Sequence, residues 1–254
     1  MSHIKVGLQM YSLRDACAKD FYGCIRAAAA AGYAGVEFAG FFDKPAQEVR
    51  KVVEDCGLSV YGAHVGYELL LPDKIKQTMD YHAELGNRRL VIPYIWDPYR
   101  ENPEACRKTA GILATMVQTL RDRFMETGYH THEGDVLPMQ DGDKATTAYD
   151  LLLSLTPPDF IMQLDVGNMV KAGVDPGVFF LRYPGRAKQL HLKEYGRGSF
   201  KLPMGAGDVP WAQVFRYAET TAGTDQYIVE VESYWDDPLE CVIQDRSLLR
   251  NMGV

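Results

Sequence analysis

A (β/α)₈ barrel is the fold this sequence predicts, on three observations. Across 254 residues, short β-like runs alternate with longer helical ones eight times, at about 32 residues per unit, the rhythm of that fold. No linker or low-complexity stretch interrupts the alternation, which points to one domain over residues 1–254. A doubly wound open sheet would alternate too, but no G-x-G-x-x-G or P-loop follows any strand. The barrel is preferred, with its active site at the C-terminal ends of the strands.

The elements follow in order. IKVGLQM (4–10) reads as the first strand. Asp20 caps a helix running through Ala27–Ala31, and Gly32 suits its end. AGVEFAG (34–40) is the second strand, followed by a helix opened by Pro45 and closed by Gly57. LSVYGAHV (58–65) is the third, with a helix from Pro72 to about Leu85, and RRLVIPYI (88–95) is the fourth. Residues 103–127 place Ile112, Leu113, Met116, Val117, Leu120 and Phe124 at helical spacing, with Gly128 as the stop. The fifth strand ends in YHTH (129–132), and residues 144–155 are helical. FIMQLDVG (160–167) is the sixth strand, with a short helix over 175–182. AKQLHLKEY (187–195) and QYIVEVESY (226–234) are the seventh and eighth strands, each followed by a helix, at 211–223 and 238–253.

Apolar residues make up 46% and charged residues 24%, the composition of a soluble protein with a full core. A net charge of −7 argues against a nucleic-acid partner, which needs a clustered basic surface. No apolar run approaches the ~20 residues that span a bilayer, so no membrane role is expected. A strand beginning within four residues leaves no room for a signal peptide. The scattered Cys17, Cys24, Cys56, Cys106 and Cys241, with no C-x-x-C, suggest reduced thiols in a cytoplasm.

The chemistry concentrates at four strand ends. His130 and His132 share a face if the fifth strand continues through both. The sixth strand is apolar until Asp165, the seventh brings His191 and Lys193 to one face, and the eighth brings Glu230 and Glu232. A polar group ending an apolar run is costly to bury alone. Four consecutive strands doing so points to a shared partner, one divalent metal held by His130, Asp165, His191 and Glu230. That mixed N/O set suits Mn²⁺, Co²⁺, Zn²⁺ or Fe²⁺, with Mg²⁺ also open. The alternative is a network of His–carboxylate salt bridges at the barrel mouth.

GLQMYSLRD, GVEFAG, YHTH, LDVGN…AGVDP, HLKE, MGAGDVPW and YIVEVESY occur in the order seen in the xylose-isomerase-like TIM-barrel superfamily. The chain resembles its sugar-phosphate isomerase/epimerase branch over essentially the whole length. The resemblance implies a divalent metal held from strands five to eight, and maps directly onto Asp165, His191 and Glu230. Strand five departs from the commoner pattern, since a glutamate ligand usually stands where His130 stands; YHTH is similar to a Tyr-His-Asn-His subgroup. The keto-sugar epimerases of the superfamily use two metal-bound glutamates on opposite faces of the substrate. Loss of one leaves Glu230, His132, Lys193 or Glu133 as acid/base groups.

Around this set, Gln9, Tyr11, Glu37 and His64 are candidates for binding sugar hydroxyls. Arg197 and Lys201 lie in a Gly-rich loop suited to closing over substrate or holding a phosphate. Trp96 and Trp235 suit ring stacking, while His3 and His82 read as surface residues. The leading expectation is isomerisation or epimerisation of a small sugar, keto sugar or sugar phosphate through an enediolate. The alternative is a lyase or dehydratase acting on a keto-sugar, keto-inositol or keto-glycoside from the same intermediate. The apurinic endonucleases of the superfamily need further histidines where Pro93, Asn168 and Pro203 stand here. A non-catalytic carbohydrate-binding protein would have no use for four ligand-type residues. The sequence leaves a homo-oligomer open.

Overall fold

A computed structural model describes residues 4–95 and 100–254. Its strands, in chain order, are β1 (Lys5–Gln9), β2 (Gly35–Ala39), β3 (Ser59–His64), β4 (Arg89–Ile92) and β5 (Glu126–His130). They continue as β6 (Pro138–Asp141), β7 (Lys144–Thr147), β8 (Ile161–Asp165), β9 (Gln189–Leu192) and β10 (Gln226–Val229). Eight of these close a parallel barrel in the order β1-β2-β3-β4-β5-β8-β9-β10, with β10 pairing back onto β1. The helices are α1 (Arg14–Ala31), α2 (Ala46–Asp55), α3 (Ile75–Leu85), α4 (Pro103–Arg121) and α5 (Ala148–Leu155). After them come α6 (Val166–Lys171), α7 (Gly177–Arg182), α8 (Trp211–Tyr217) and α9 (Pro238–Asn251). The alternation read from the sequence is that of a closed (β/α)₈ barrel.

Strand alternation separates two environments. Val6 and Leu8, Val36 and Phe38, Met162 and Leu164, and Leu190 and Leu192 belong to the buried apolar core. The intervening positions carry Gln9, Glu37, Gln163, Asp165, Gln189 and His191, all fully buried. The barrel axis is thus filled by polar groups rather than branched aliphatics, and each must find a partner.

Several boundaries differ from the sequence reading. Residues 144–147 are not helical but form β7, which pairs antiparallel with β6 as a hairpin between β5 and α5. Helix α4 stops at Arg121, and Phe124 stands outside it, 80% exposed with a left-handed φ of 56°. Gly128 lies inside β5 rather than ending a helix. A Cβ there would sit 2.2 Å from the Ile161 carbonyl oxygen of β8, so only glycine lets the two strands pair. The sixth barrel strand ends at Asp165, whose Oδ1 accepts the Asn168 N–H at 2.8 Å and starts α6 in place of two further strand residues. Asp20 does cap, but inside α1: its backbone is non-helical and its Oδ1 accepts the Gly23 N–H at 2.9 Å. Gly32 ends that helix with φ 85°.

Candidate active site

The polar interior is wired through one amide. Gln163 Oε1 lies 2.9 Å from His130 Nδ1 and 2.8 Å from His64 Nε2. Gln163 Nε2 donates to Glu37 Oε1 at 2.6 Å and to Gln189 Oε1 at 3.1 Å. An amide whose nitrogen donates twice has only its oxygen left for the two imidazoles, so His130 Nδ1 and His64 Nε2 carry the protons. His130 Nε2 is then a bare lone pair. It faces Asp165 Oδ2 at 3.8 Å and Glu230 Oε2 at 3.9 Å. Burial, with His191 and His64 nearby, keeps the His130 imidazole neutral by pushing its pKa well below the usual value.

His191 is held from both sides. Its Nε2 donates to Glu37 Oε2 at 2.7 Å, and its Nδ1 lies 3.2 Å from Glu230 Oε2. Burial opposes a charge on this ring, but Glu37 and Glu230 outweigh it and raise its pKa to about 10. Glu37 shows the converse balance: burial pushes its carboxyl up, while His64, His191 and Gln163 together hold it below the ordinary range. Lys193, fully enclosed, places Nζ 2.9 Å from Asp165 Oδ2 and 2.8 Å from both Glu230 Oε2 and Glu232 Oε2. Burial works against its charge, but Asp165, Glu230 and Glu232 outweigh it and hold its pKa well above the usual value. The Asp165 Oδ2 contact is ionic only, for that oxygen accepts no well-directed hydrogen bond.

His130, Asp165, His191 and Glu230 are the four predicted ligands, and one donor atom of each lies within 4.8 Å of the others. The donor chemistry fits a divalent metal: a bare imidazole nitrogen, two carboxylates, and a second imidazole that would give up its Nδ1 proton on binding and whose far nitrogen is held by a carboxylate. That last arrangement is the usual support of a metal-binding histidine. His64 forms a second grouping with His130 and His191. Two imidazoles and two carboxylates suit Mn²⁺, Co²⁺ or Zn²⁺.

Above the cluster opens a cavity of about 850 Å³, reached by His130, Glu230 and Glu232 and walled by Tyr11, His64, His132, Glu133 and Arg100. His132 stands just past the end of β5. Its ring is 4.9 Å from that of His130, its Nδ1 is buried without a partner, and burial and Lys193 lower its pKa to about 4. Glu133 pairs with Lys171. Gln9 and Glu37 do not reach the cavity: both are fully buried, and Gln9 Nε2 donates to Glu37 Oε2 at 2.7 Å beneath the cluster. Arg197 is exposed away from the cavity, held by its N–H to Asp208 Oδ2, and Lys201 is likewise exposed. Trp235 gives its indole N–H to Gln244 at 2.8 Å and does not line the cavity. His82 is buried rather than on the surface, within 3.0 Å of the Asn87 amide. His3 and Trp96 lie outside the described residues.

Two participants escaped the sequence reading. Gln163 was visible only as a polar residue inside FIMQLD, a position that could have been paired with Asp165 on one strand face. Arg100 lines the cavity, bonds the buried Asp135 and stacks 4.3 Å over Tyr94. Its loop position gave no pattern to read.

Comparison with known proteins agrees with this architecture. An inosose dehydratase of Lacticaseibacillus casei is 38% identical over 87 residues, 32% of this chain and 27% of that protein's length. The chain thus spans about a quarter of that relative. An inosose dehydratase of Clostridium botulinum is 23% identical over 91% of this chain and 89% of that protein. A sugar phosphate isomerase/epimerase from Parabacteroides distasonis superposes with a TM-score of 0.84 at 25% identity, covering 98% of this chain and 94% of that one. Residues 25–252 match the family model of the xylose isomerase-like TIM barrel, an enzyme family to which this chain belongs.

Proposed function

We propose that the protein removes a carbon-bound proton beside the carbonyl of a small keto sugar or keto-polyol and expels the β-oxygen as water. This makes it a metal-dependent dehydratase. One observation carries the reading: the two carboxylates at the cavity that contact the cluster, Glu230 and Glu232, both follow β10, while Glu133 on the other wall is paired with Lys171 and β5 presents a neutral imidazole. Handling a proton from one side suits elimination; inversion needs donors on two faces. The similarity to inosose dehydratases supports the same direction. A metal held by His130, Asp165, His191 and Glu230 would supply Lewis-acid polarisation of the substrate carbonyl.

The base role expected for Glu230 passes to Glu232. Glu230 is 4% exposed and its Oε2 is shared by Lys193 and His191, whereas the Glu232 side chain is 33% exposed and opens to the cavity. Glu232 takes the proton, the C–H electron pair becomes the new C=C bond, and the departing oxygen leaves as water with that proton. Lys193, enclosed beneath the cavity, holds Glu232 and Glu230 in place through its ion pairs. His132 and Glu133 line the facing wall and orient hydroxyls. Epimerisation stands as the second reading on one feature, the unpartnered Nδ1 of His132 on that wall.

NMR in D₂O over a panel of keto-inositols and keto sugars, with Mn²⁺ added, tests the chemistry. Metal-dependent deuterium uptake with an unsaturated product is expected; uptake with inversion instead selects the second reading, and none at all rejects both. Glu232→Gln should keep bound metal and lower exchange by about 10²–10⁴-fold, the usual worth of a general base. If Glu232→Gln exchanges normally while Glu230→Gln does not at saturating metal, Glu230 is the base.

A further inference from the structure

The catalytic cavity has a neighbour. A groove of about 540 Å³ runs between the loop after β2 and helix α3, walled by Phe41, Phe42, Leu69 and Tyr81, and it shares His64 with the catalytic cavity. Ala39 lines one space and the adjoining Gly40 the other, so the two lie side by side along the end of β2. We infer that this groove is a second subsite, which holds an apolar ring carried by the substrate on its sugar. The inference rests on the reading of the catalytic cavity as a keto-sugar site.

The floor chemistry selects the occupant. Tyr81 donates its hydroxyl to the Lys44 carbonyl at 2.8 Å, and Thr78 donates to the Leu69 carbonyl at 2.8 Å. His82 is engaged by Asn87 at 3.0 Å. The Tyr81 and Thr78 hydroxyls and the His82 Nδ1 are therefore spent inside the protein, and a hydroxylated ring laid on that part of the wall would lose its hydrogen bonds with water without replacement. An apolar ring loses none. Asp43, Lys74 and Gln77 line the groove as exposed side chains, and Lys44 as a half-buried one.

The apolar surface is also presented at a cost. Phe42 is 40% exposed and Leu69 46%, the two large apolar side chains that the groove leaves open to solvent. Phe42 and Asp43 both adopt left-handed backbone, with φ of 52° and 57°, a conformation disfavoured for bulky side chains and concentrated at ligand clamps. One ring neighbour, Phe21 at 5.4 Å, backs Phe42 and leaves its remaining surface to the groove. A monosaccharide confined to the catalytic cavity would leave all of this uncovered. A flat ring joined to the sugar by a glycosidic oxygen would cover it as the sugar enters.

Titration of the Mn²⁺-treated protein with methyl and phenyl β-D-glucopyranoside, followed by NMR shifts, tests the subsite without any turnover. The phenyl glycoside should bind about tenfold tighter, as burial of much of a ring's apolar area implies. Leu69→Gln should erase most of that difference while leaving the methyl glycoside's affinity near that of the natural protein. Phe42→Ser should do the same, and gives an independent variant should either fail to fold. Equal affinities, no detectable phenyl glycoside binding, or a preference that survives both substitutions would overturn the subsite. A protein that prefers the phenyl glycoside but shows no metal-dependent deuterium exchange would instead overturn the catalytic reading alone.

Discussion

His130 and His132 differ by two residues and by their roles, because Gln163 reaches only one of them. The Gln163 oxygen takes the Nδ1 proton of His130 and turns its bare Nε2 toward Asp165 and Glu230. His132 has no such partner and stands beyond the strand end. His130→Ala should therefore weaken Mn²⁺ binding by at least about 10–100-fold, the loss seen when only a ligand's supporting partner is removed. His132→Ala should leave the affinity unchanged. Calorimetric titration of both variants checks this, and the reverse ranking would mean that His132 is the ligand. At this scale the sequence was informative where a titratable residue ended an apolar run, as His130, Asp165, His191 and Glu230 do. It was silent on Gln163 and on the full burial of Glu37 and Gln9. A side chain at a strand end faces either the cavity or the buried axis below it, and only the positions of its neighbours decide which.

Among the elements, the loop from Tyr195 to Val209 is fixed by two buried carboxylates. Glu194 accepts from the Gly205 N–H at 2.6 Å and the Trp211 indole at 2.7 Å, while Asp245 of α9 accepts the Met204 N–H at 2.8 Å. Burial, reinforced by Glu194, raises the Asp245 carboxyl from 3.8 to about 7. The folded protein then holds a proton that the unfolded chain has already lost between pH 4 and 7. Stability must fall as pH rises through that window, and the penalty is complete above about pH 7. Asp245→Asn keeps an acceptor for Met204 and removes the charge. Its stability relative to the natural protein should rise between pH 5 and pH 8 by on the order of 2–4 kcal/mol, at 1.36 kcal/mol per unit. Denaturant melts at the two pH values would show it, and a difference that does not change with pH would contradict it. Element identities were legible wherever period and caps agreed, as in α2 between Pro45 and Gly57. The β6–β7 hairpin was not, since PMQD and KATT carry no alternating apolar positions and gain their order from pairing with each other. Gly128 was misread for a related reason: a helix stop and a close strand approach both call for glycine, and only the Ile161 carbonyl distinguishes them.

For the molecule as a whole, the donors of the cluster come from β5, β8, β9 and the end of β10, neighbours that complete the barrel before it closes onto β1. A metal bound there ties four strands at once and binds only the folded chain. At a hundred times its Kd it should add about 2.7 kcal/mol, or roughly 5–10 °C in Tm for a chain of this size. Scanning calorimetry of chelator-treated protein with and without Mn²⁺ measures this; an unchanged Tm would mean that the cluster holds no metal. Among the described residues no helix is long and apolar enough to cross a membrane. The same strand order divides the labour along the chain. Every donor atom of the cluster lies between His130 and Glu230, whereas His64 and the aromatic groove belong to the first 82 residues. The two stretches are nonetheless joined, since Glu37 holds His191 and His64 bonds Gln163. A substitution in the early strands is therefore felt at the later donors through these two bonds, and neither half of the barrel can be altered as an independent unit.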